Sequence, residues 1–407
     1  MEEKVFGIGD RVCLESSSRE WEGVVLESYD PEIVLLKLDS GYNIGIRERE
    51  IKKARLVRKA ALGKREEKKL ERKEGLRNIS MIITGGTISS RLDPKTGAVT
   101  PSKASDLVEI APGLCDVCNI LRMKRPITKL SEDIGPKDWK LIARSVLEEL
   151  NDSEVDGVIV THGTDTISYT ASALSFFIRD LNKPVAMTYA QRSIDRPSTD
   201  ASLNLLCAAR YAVSDIAEVA LIGHEDKNDK FCLAMPATRT RKMHSSARDA
   251  FKIINSSPIA RISREHLEIL RDFRARAFDG KAKLDAKFSN KVGLLKFHPG
   301  QDSKVLDFYR KNGYEGLVIE VTGLGHLPTS WIGAVKKLVD SGVVVCAAAQ
   351  TFYGRLNPNV YSKGRRLQKT GIIFLEDMFS ESAFVKLSWV LGHRSWKNKV
   401  KEKMLSD

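Results

Sequence analysis

Met81-Ile-Ile-Thr-Gly-Gly-Thr-Ile88 is the stretch that decides the fold. Its apolar start, bounded by glycines, predicts a buried strand of a parallel sheet. Gly85 and Gly86 let the backbone leave this strand in a tight turn and let a ligand approach closely. Thr87 then lies on the loop at the carboxyl end of the strand, where open α/β sheets bind their ligands. We therefore expect Thr87 to belong to a functional site.

A second stretch has the same layout, Gly157-Val-Ile-Val-Thr-His-Gly-Thr-Asp-Thr166. Here a buried strand is followed by a loop that carries Thr164 and Asp165. Threonine and aspartate are also common turn and N-cap residues, so either stretch alone leaves that role open. Two strand ends that both carry hydroxyls, one with a carboxylate, favour a shared site.

The composition is that of an ordinary soluble globular protein, with 407 residues, 42% hydrophobic and 29% charged. This length predicts two or three domains. No apolar run approaches the ~18 residues of a membrane span, and the first residues do not resemble a signal peptide. Six scattered cysteines suit reduced thiols, so we expect a cytoplasmic protein. The lone Cys115-x-x-Cys118 pair is not expected to bind zinc, because no second pair lies near it.

The N-terminal part is predicted to be all-β. Residues 1–56 are expected to form a small SH3-like barrel, with strands at 11–14, 21–26, 33–38 and 42–46. A charged linker follows at 57–78. The basic run 52–78, predicted to be partly helical, holds 12 Lys/Arg and 4 acidic residues, a net charge of +8. That charge fits either a solvated linker or contact with RNA.

The rest of the chain alternates strand and helix patterns, which predicts parallel sheets covered on both faces. A large α/β domain is expected at 79–280, a polar connector at 280–290 and a small α/β domain at 291–407. The predicted strands are 79–84, 157–161, 184–188, 218–223, 231–235, 292–297, 316–321, 343–347 and 371–374. The predicted helices are 137–150, 167–180, 199–213 and 243–254.

Both stretches carry a family resemblance. Thr84-Gly-Gly-Thr-Ile88 and His162-Gly-Thr-Asp-Thr166 resemble the two signature motifs of the type I/II L-asparaginases and related amidohydrolases. The resemblance runs from about residue 79 to the C-terminus and implies an asparaginase-like α/β fold of two parallel-sheet domains. With the preceding segment and the segment 190–200, the whole chain resembles the archaeal glutamyl-tRNA(Gln) amidotransferase D subunits.

The resemblance implies a catalytic relay. Its members are Thr87 as nucleophile, Thr164, Asp165 and Lys242. A threonine hydroxyl needs a base to become a nucleophile, and a desolvated lysine among cations such as Arg239 and Arg241 loses its proton more easily. Glycine-turn N–H groups are candidates to bind the oxyanion. The implied substrate-binding residues are Ser131, Glu132, Gly86 and Gly163, and no metal is expected.

The family also implies partners. The chain would hydrolyse glutamine, and the ammonia would pass to the amidotransferase E subunit, which amidates glutamate on tRNA(Gln). No phosphate-binding Gly-x-x-x-x-Gly-Lys motif is present, so ATP and Mg are expected on the partner and no cofactor on this chain. A homodimer within a heterotetramer is expected. The rival interpretations are a stand-alone L-asparaginase with an appended β module and a catalytically silent RNA-binding platform.

The chain departs from the asparaginase pattern in two places. The lid segment 88–100 contains no tyrosine, although the similar enzymes carry one there. His326 stands in a Gly-x-Gly-His loop where the similar enzymes have asparagine. We therefore expect that the lid needs a partner to order it, or that Thr87 is activated in another way.

Overall fold

The computed structural model describes residues 6–16, 19–26, 28, 30–40, 42–59, 72–86, 88, 90–92, 99–101, 110–192, 198–277 and 279–406. Three sequence-based expectations lie wholly or mostly outside these residues. They concern Thr87, the lid at 88–100, and residues 60–71 of the predicted linker at 57–78.

The N-terminal part is an antiparallel five-stranded sheet, which confirms the all-β prediction. Its strands are β1 (Arg11–Ser16), β2 (Glu20–Leu26), β3 (Ile33–Lys37), β4 (Asn43–Arg47) and β5 (Ile51–Arg58), in the order β4-β3-β2-β1-β5. Its core includes Val12, Leu14 and Leu36. The prediction that the basic run 52–78 begins as linker or helix is wrong, because its first residues, 52–58, belong to strand β5. Ile51 and Leu56 of β5 pack on the core while most of its cations face solvent.

The large α/β domain contains fourteen strands and three α-helices within the described residues. The strands are β6 (Asn78–Ile83), β7 (Ser90–Leu92), β8 (Val99–Pro101), β9 (Asn119–Lys124), β10 (Gly157–Thr161), β11 (Ile178–Arg179), β12 (Val185–Thr188), β13 (Val219–His224), β14 (Cys232–Pro236), β15 (Thr240–Lys242), β16 (Phe251–Ile253), β17 (Ala260–Ile262), β18 (Leu267–Ile269) and β19 (Lys283–Leu284). The helices are α1 (Pro136–Leu150), α2 (Ile167–Phe177) and α3 (Ala201–Ala212).

The main sheet of this domain has the order β18-β17-β14-β13-β12-β10-β6-β9. Alternating residues of β10 face opposite sides, because successive side chains of a strand alternate. Val158 and Val160 pack with α1 and α2, and Ile159 packs with α3. The sheet is mixed rather than fully parallel, since β14, β17 and β18 are antiparallel to their neighbours. The predicted strands of this domain are confirmed within one residue, but the sequence pattern did not predict β9, β17 or β18 of this sheet.

The predicted helix at 243–254 is wrong. This segment is a loop that returns as β16, which pairs antiparallel with β15. His244 helps to stabilise the loop, because its Nδ1 accepts the backbone N–H groups of Ser246 and Ala247 at 3.0 and 2.9 Å. Met243 N–H then donates to the Ala250 carbonyl at 2.6 Å and closes the loop. Lys242 therefore ends a short strand instead of preceding a helix.

The C-terminal domain is a parallel four-stranded sheet, β20-β21-β22-β23. Its strands are β20 (Val292–Lys296), β21 (Gly316–Val321), β22 (Val344–Ala349) and β23 (Ile373–Phe374), and its helices are α4 (Val305–Lys311), α5 (Thr329–Asp340), α6 (Ser362–Gln368), α7 (Ser380–Leu391) and α8 (Val400–Leu405). Helix α7 packs against α2 of the large domain through the stacked rings of Phe176 and Trp389. The two α/β domains thus share one apolar core.

The segment at 280–290 is docked onto the large domain rather than being a purely polar connector. Lys283–Leu284 pairs with β11, and Ala282 is buried. All six cysteines are free, and five of them are buried. Among the described residues, no helix combines the length and the apolar character that a membrane crossing requires.

Candidate active site

The two glycine-containing loops begin side by side, because β6 and β10 are parallel neighbours. Ile83 at the end of β6 is opposite Thr161 at the end of β10. The Thr84 hydroxyl donates to the Thr161 carbonyl at 2.8 Å, and the Thr84 N–H donates to the same oxygen at 3.3 Å. Both loops therefore leave the carboxyl edge of the sheet at one place, as expected for an α/β ligand site.

Gly86 and Gly163 lie in direct backbone contact. Gly86 has φ +84°, and a Cβ there would be 2.6 Å from the Gly163 nitrogen. Any other residue would thus face both backbone strain and a collision. This contact brings the glycine pair of the first motif, immediately before Thr87, onto the second motif.

Lys242 reaches the second motif from β15. Its Nζ donates to Thr164 Oγ1 at 2.8 Å and to Asp165 Oδ1 at 2.8 Å. The Lys242 side chain is 15% exposed, whereas that of Asp165 is 65% exposed. Three of the four predicted relay residues are therefore in mutual contact, and Asp165 also faces solvent, where a substrate could reach it.

Ser131 lies behind the second motif and is buried. Its hydroxyl accepts the Asp165 N–H at 3.3 Å. A Cβ added to Gly163 would be 2.8 Å from the Ser131 Cβ, so the glycine makes room for this serine. Glu132 is exposed beside it, with its carboxylate 3.4 Å from the Ser131 hydroxyl. The predicted substrate-binding residues therefore lie around the loop that carries Thr164 and Asp165.

Thr166 has a role that the sequence alone did not predict. Its hydroxyl donates to the backbone carbonyl of Ser131 and so ties the second motif to the Ser131 turn. The sequence did carry a signal, because the second motif has a threonine on each side of Asp165. Thr164 contacts Lys242, and Thr166 binds the Ser131 turn.

His162 is a structural member of the loop. It is fully buried, with Nδ1 2.7 Å from the Gly163 carbonyl and Nε2 2.9 Å from Thr170 Oγ1. Burial lowers the pKa of His162 to about 4, so the ring is neutral at neutral pH. A neutral ring with a carbonyl on one side donates from Nδ1 and accepts the Thr170 hydroxyl at Nε2.

Arg239 and Arg241 do not act as free cations beside Lys242. Arg239 Nη1 donates to the Asp377 carboxylate at 2.9 Å, and Arg241 Nη1 donates to the Glu381 carboxylate at 3.1 Å. Each guanidinium is thus neutralised by a carboxylate of the C-terminal domain. The expectation that these two arginines help Lys242 to lose its proton stays a prediction.

His326 lies in the C-terminal domain and contacts Tyr361, with ring centroids 5.3 Å apart. Its Nε2 is buried and has no hydrogen-bond partner within the described part of the chain. In the same part of the chain, no three side chains of the His, Cys, Asp or Glu type gather as a metal site would require. The geometry around Lys242 is instead that of a proton relay between a lysine, a hydroxyl and a carboxylate.

The amino-acid sequence matches three family models, one after another along the chain. Residues 6–57 match the GatD N-terminal domain, residues 78–274 match the N-terminal domain of asparaginase, and residues 291–404 match the glutaminase/asparaginase C-terminal domain.

Two relatives that match nearly the whole chain are D subunits of glutamyl-tRNA(Gln) amidotransferase. The D subunit of Thermococcus kodakarensis is 46% identical over 418 residues, covering 100% of this chain and 94% of the relative. The D subunit of Methanopyrus kandleri is 42% identical and covers 96% of this chain and 88% of the relative.

Two solved asparaginases match most, but not all, of the chain. The thermostable L-asparaginase of Thermococcus kodakarensis superposes with a TM-score of 0.73 at 29% identity, covering 81% of this chain and 97% of that structure. The L-asparaginase I of Vibrio cholerae superposes with a TM-score of 0.70 at 26% identity, covering 82% of this chain and 98% of that structure. The D subunits also match the N-terminal part of the chain, where residues 6–57 match the GatD N-terminal domain. The chain therefore belongs to the family of glutamyl-tRNA(Gln) amidotransferase D subunits, and its α/β part has the asparaginase fold.

Proposed function

We propose that this chain is the subunit that releases ammonia from glutamine in a tRNA-dependent amidotransferase. The observation that carries the proposal is the double contact of Lys242 Nζ, 2.8 Å from both Thr164 Oγ1 and Asp165 Oδ1. Lysine, hydroxyl and carboxylate come from two distant segments and meet beside the loop that bears Thr87. Such a convergence of polar groups at the carboxyl edge of a sheet is typical of a catalytic site.

The reaction begins with attack on the substrate amide. Thr87 Oγ attacks the side-chain amide carbon of glutamine, and its proton leaves through the Thr164–Lys242–Asp165 relay. The tetrahedral oxyanion takes hydrogen bonds from backbone N–H groups of the Gly86 and Gly163 turns. The relay returns this proton to the amide nitrogen, the C–N bond breaks, the nitrogen leaves as ammonia, and a glutamyl ester on Thr87 remains. Water attacks this ester, releases glutamate and regenerates the hydroxyl.

The substrate's α-groups would be bound on the other side of the second motif. Ser131 donates its hydroxyl to the α-carboxylate, and the carboxylates of Glu132 and Asp165 face the α-ammonium. The 65% exposure of Asp165 leaves this carboxylate open to such a ligand. One carboxylate would thus serve both the relay and substrate binding.

The family match supports a proposal for the assembly. The relatives are named as subunits, so the chain belongs to a multi-subunit amidotransferase. We propose the amidotransferase E subunit as its partner in the cytoplasm, with ATP and Mg bound there, and a homodimer of this chain within a heterotetramer. The ammonia would be used on tRNA(Gln) charged with glutamate.

We further propose that the isolated chain is a poor glutaminase that is switched on inside the complex, since its 88–100 segment lacks tyrosine. The test is single-turnover ammonia release from glutamine and from asparagine, for the chain alone, with the partner, and with the partner plus tRNA. Release that rises only in the complex supports gating. Equal release in all three states, or steady asparagine hydrolysis by the chain alone, would favour a stand-alone asparaginase. In the gated case, deletion of residues 1–77 tests whether the N-terminal sheet and linker transmit the signal.

A further inference from the structure

The segment 190–200, which resembles the amidotransferase D subunits more than the asparaginases, begins directly after β12 at the catalytic edge of the sheet. Asp200 is fully buried. Its carboxylate accepts the N–H of Gln191 at 2.9 Å and the N–H of Arg192 at 2.9 Å. Residues 193–197 lie outside the described residues. The Asp200 carboxylate thus joins the two ends of the segment. Because a buried carboxylate is costly unless it is fully hydrogen-bonded, we expect it to have other donors.

Asn204, one turn along α3, supplies the next contact. Its Nδ2 donates to the Tyr189 carbonyl at 3.0 Å and to the Asp200 carboxylate at 3.3 Å. Both partners are acceptors, so the nitrogen and oxygen of the Asn204 side-chain amide cannot be exchanged. Its oxygen must therefore be the atom that faces His224 Nδ1 at 2.7 Å, and His224 donates from Nδ1.

His224 ends β13 and faces a second acceptor on its other side. Its Nε2 lies 2.9 Å from Asp229 Oδ1. Burial opposes ionisation of Asp229, but the hydrogen bonds from His224 and Arg248 outweigh it and hold the pKa of Asp229 below its ordinary value. The buried His224 ring thus has an oxygen beside each nitrogen, Asn204 Oδ1 at Nδ1 and Asp229 Oδ1 at Nε2. A row of hydrogen-bonded side chains therefore follows the catalytic edge, from Asp200 through Asn204 and His224 to Asp229.

Arg248 completes the row and lies on the loop 243–250, which directly follows Lys242. Its Nη1 donates to Asp229 Oδ2 at 2.8 Å, and its Nη2 donates to the Ser198 carbonyl at 2.7 Å. The side chain is only 13% exposed. One planar guanidinium thus binds a carboxylate and the segment 190–200 together, a geometry that lysine cannot reproduce.

We infer that Arg248 is a positioning residue for Lys242. Through Arg248, the segment 190–200 and the His224–Asp229 pair fix the loop 243–250, and this loop fixes the strand that ends at Lys242. Nζ then stays on Thr164 and Asp165 instead of moving into solvent. The inference rests on the proposed catalytic role of Lys242.

The test uses Arg248→Met, Arg248→Lys and the control Arg261→Met in the full-length chain within its complex. Arg261, on β17, makes a comparable ion pair, with its Nη2 2.7 Å from Glu225 Oε2. We expect Arg248→Met to lower kcat for ammonia release by about tenfold or more with KM nearly unchanged, a loss typical of misplaced catalytic groups. Arg248→Lys should recover part of the rate, and Arg261→Met should match the parent. A parental kcat in Arg248→Met would overturn the inference.

The double variant Arg248→Met/Lys242→Met separates positioning from general stability. A residue that acts only through Lys242 should cost nothing more once Lys242 is gone. An additional multiplicative loss would mean that Arg248 acts elsewhere, and would overturn the inference. Normal activity of Lys242→Met alone would instead refute the proposed role of Lys242. If Arg248→Met fails to fold, as circular dichroism would show, the same comparison is made with Arg248→Lys.

Discussion

The Nζ atom of Lys242 lies 2.8 Å from the hydroxyl oxygen of Thr164, although the two residues are 78 positions apart in sequence. The same nitrogen contacts Asp165, the next residue along. The relay is thus assembled from the loop after β10 and the end of β15, and neither segment can form it alone. Correct placement of β15 is therefore as important for the chemistry as the second motif itself.

Lys242→Met and Asp165→Asn should each lower the rate of ammonia release by about 10²- to 10⁴-fold, the range of a lost acid–base group. Combining them should cost little more, because the two groups act as one relay. Stopped-flow or single-turnover ammonia assays on the two single variants and the double variant measure this. Losses that multiply in the double variant would show that the residues act independently.

Thr87→Val should abolish ammonia release while leaving the fold intact, since valine keeps the shape and removes only the nucleophilic oxygen. The role of Thr87 stays a prediction, because that residue lies outside the described part of the chain. Mass spectrometry of the parent, quenched during turnover, should find a glutamyl ester on residue 87. Near-normal turnover of the variant, with no ester on that residue, would make Thr164 the next candidate.

Gly163→Ala should weaken substrate binding. The added Cβ would lie 2.8 Å from the Ser131 Cβ and 2.9 Å from its Oγ, so the serine must move. Overpacking of this kind costs about 1–3 kcal/mol, and we expect KM for glutamine to rise by roughly tenfold. Gly135→Ala is the matched control, because a Cβ at Gly135 meets nothing within 4 Å. Equal KM values in the two variants would argue against Ser131 as a substrate ligand.

Buried His162 should make folding pH-dependent. Burial lowers its pKa from 6.5 to about 4 in the folded chain. At pH above 6.5 both the folded and the unfolded state hold the neutral ring. As pH falls from 6.5 towards 4, only the unfolded state takes up the proton, so stability is lost over this window, by on the order of 3 kcal/mol. Thermal melts of the parent and of His162→Gln should diverge in slope across that range. Parallel slopes would contradict the buried neutral ring.

Strands with a clear apolar run were predictable from sequence because burial on both faces leaves an unmistakable signal. The strand that ends at Ile83 and the strand that ends at Thr161 were placed within one residue. The segment 243–254 was mistaken for a helix because its loop is held by His244 and by backbone contacts that composition does not reveal.

The site itself was only partly readable. Thr164 and Asp165 carry a local signal, since they follow a buried strand and a glycine. Lys242 carries none, and only the family resemblance distinguished it from the other lysines. Arg248 could not be found from sequence, because its partners Asp229 and Ser198 lie 19 and 50 positions away. Contacts between distant segments are decided by packing, which local pattern does not encode.

The basic run of the N-terminal part has a further consequence because it begins on an edge strand. Strand β5 lies at the end of the order β4-β3-β2-β1-β5, with Lys52, Lys53 and Arg55 exposed along it. A sheet edge would ordinarily invite another strand to add to it, whereas lysine and arginine on that edge oppose such pairing by repulsion between like charges and by the cost of removing their water. The same cations therefore protect this small sheet from edge-to-edge aggregation before the chain assembles with other subunits.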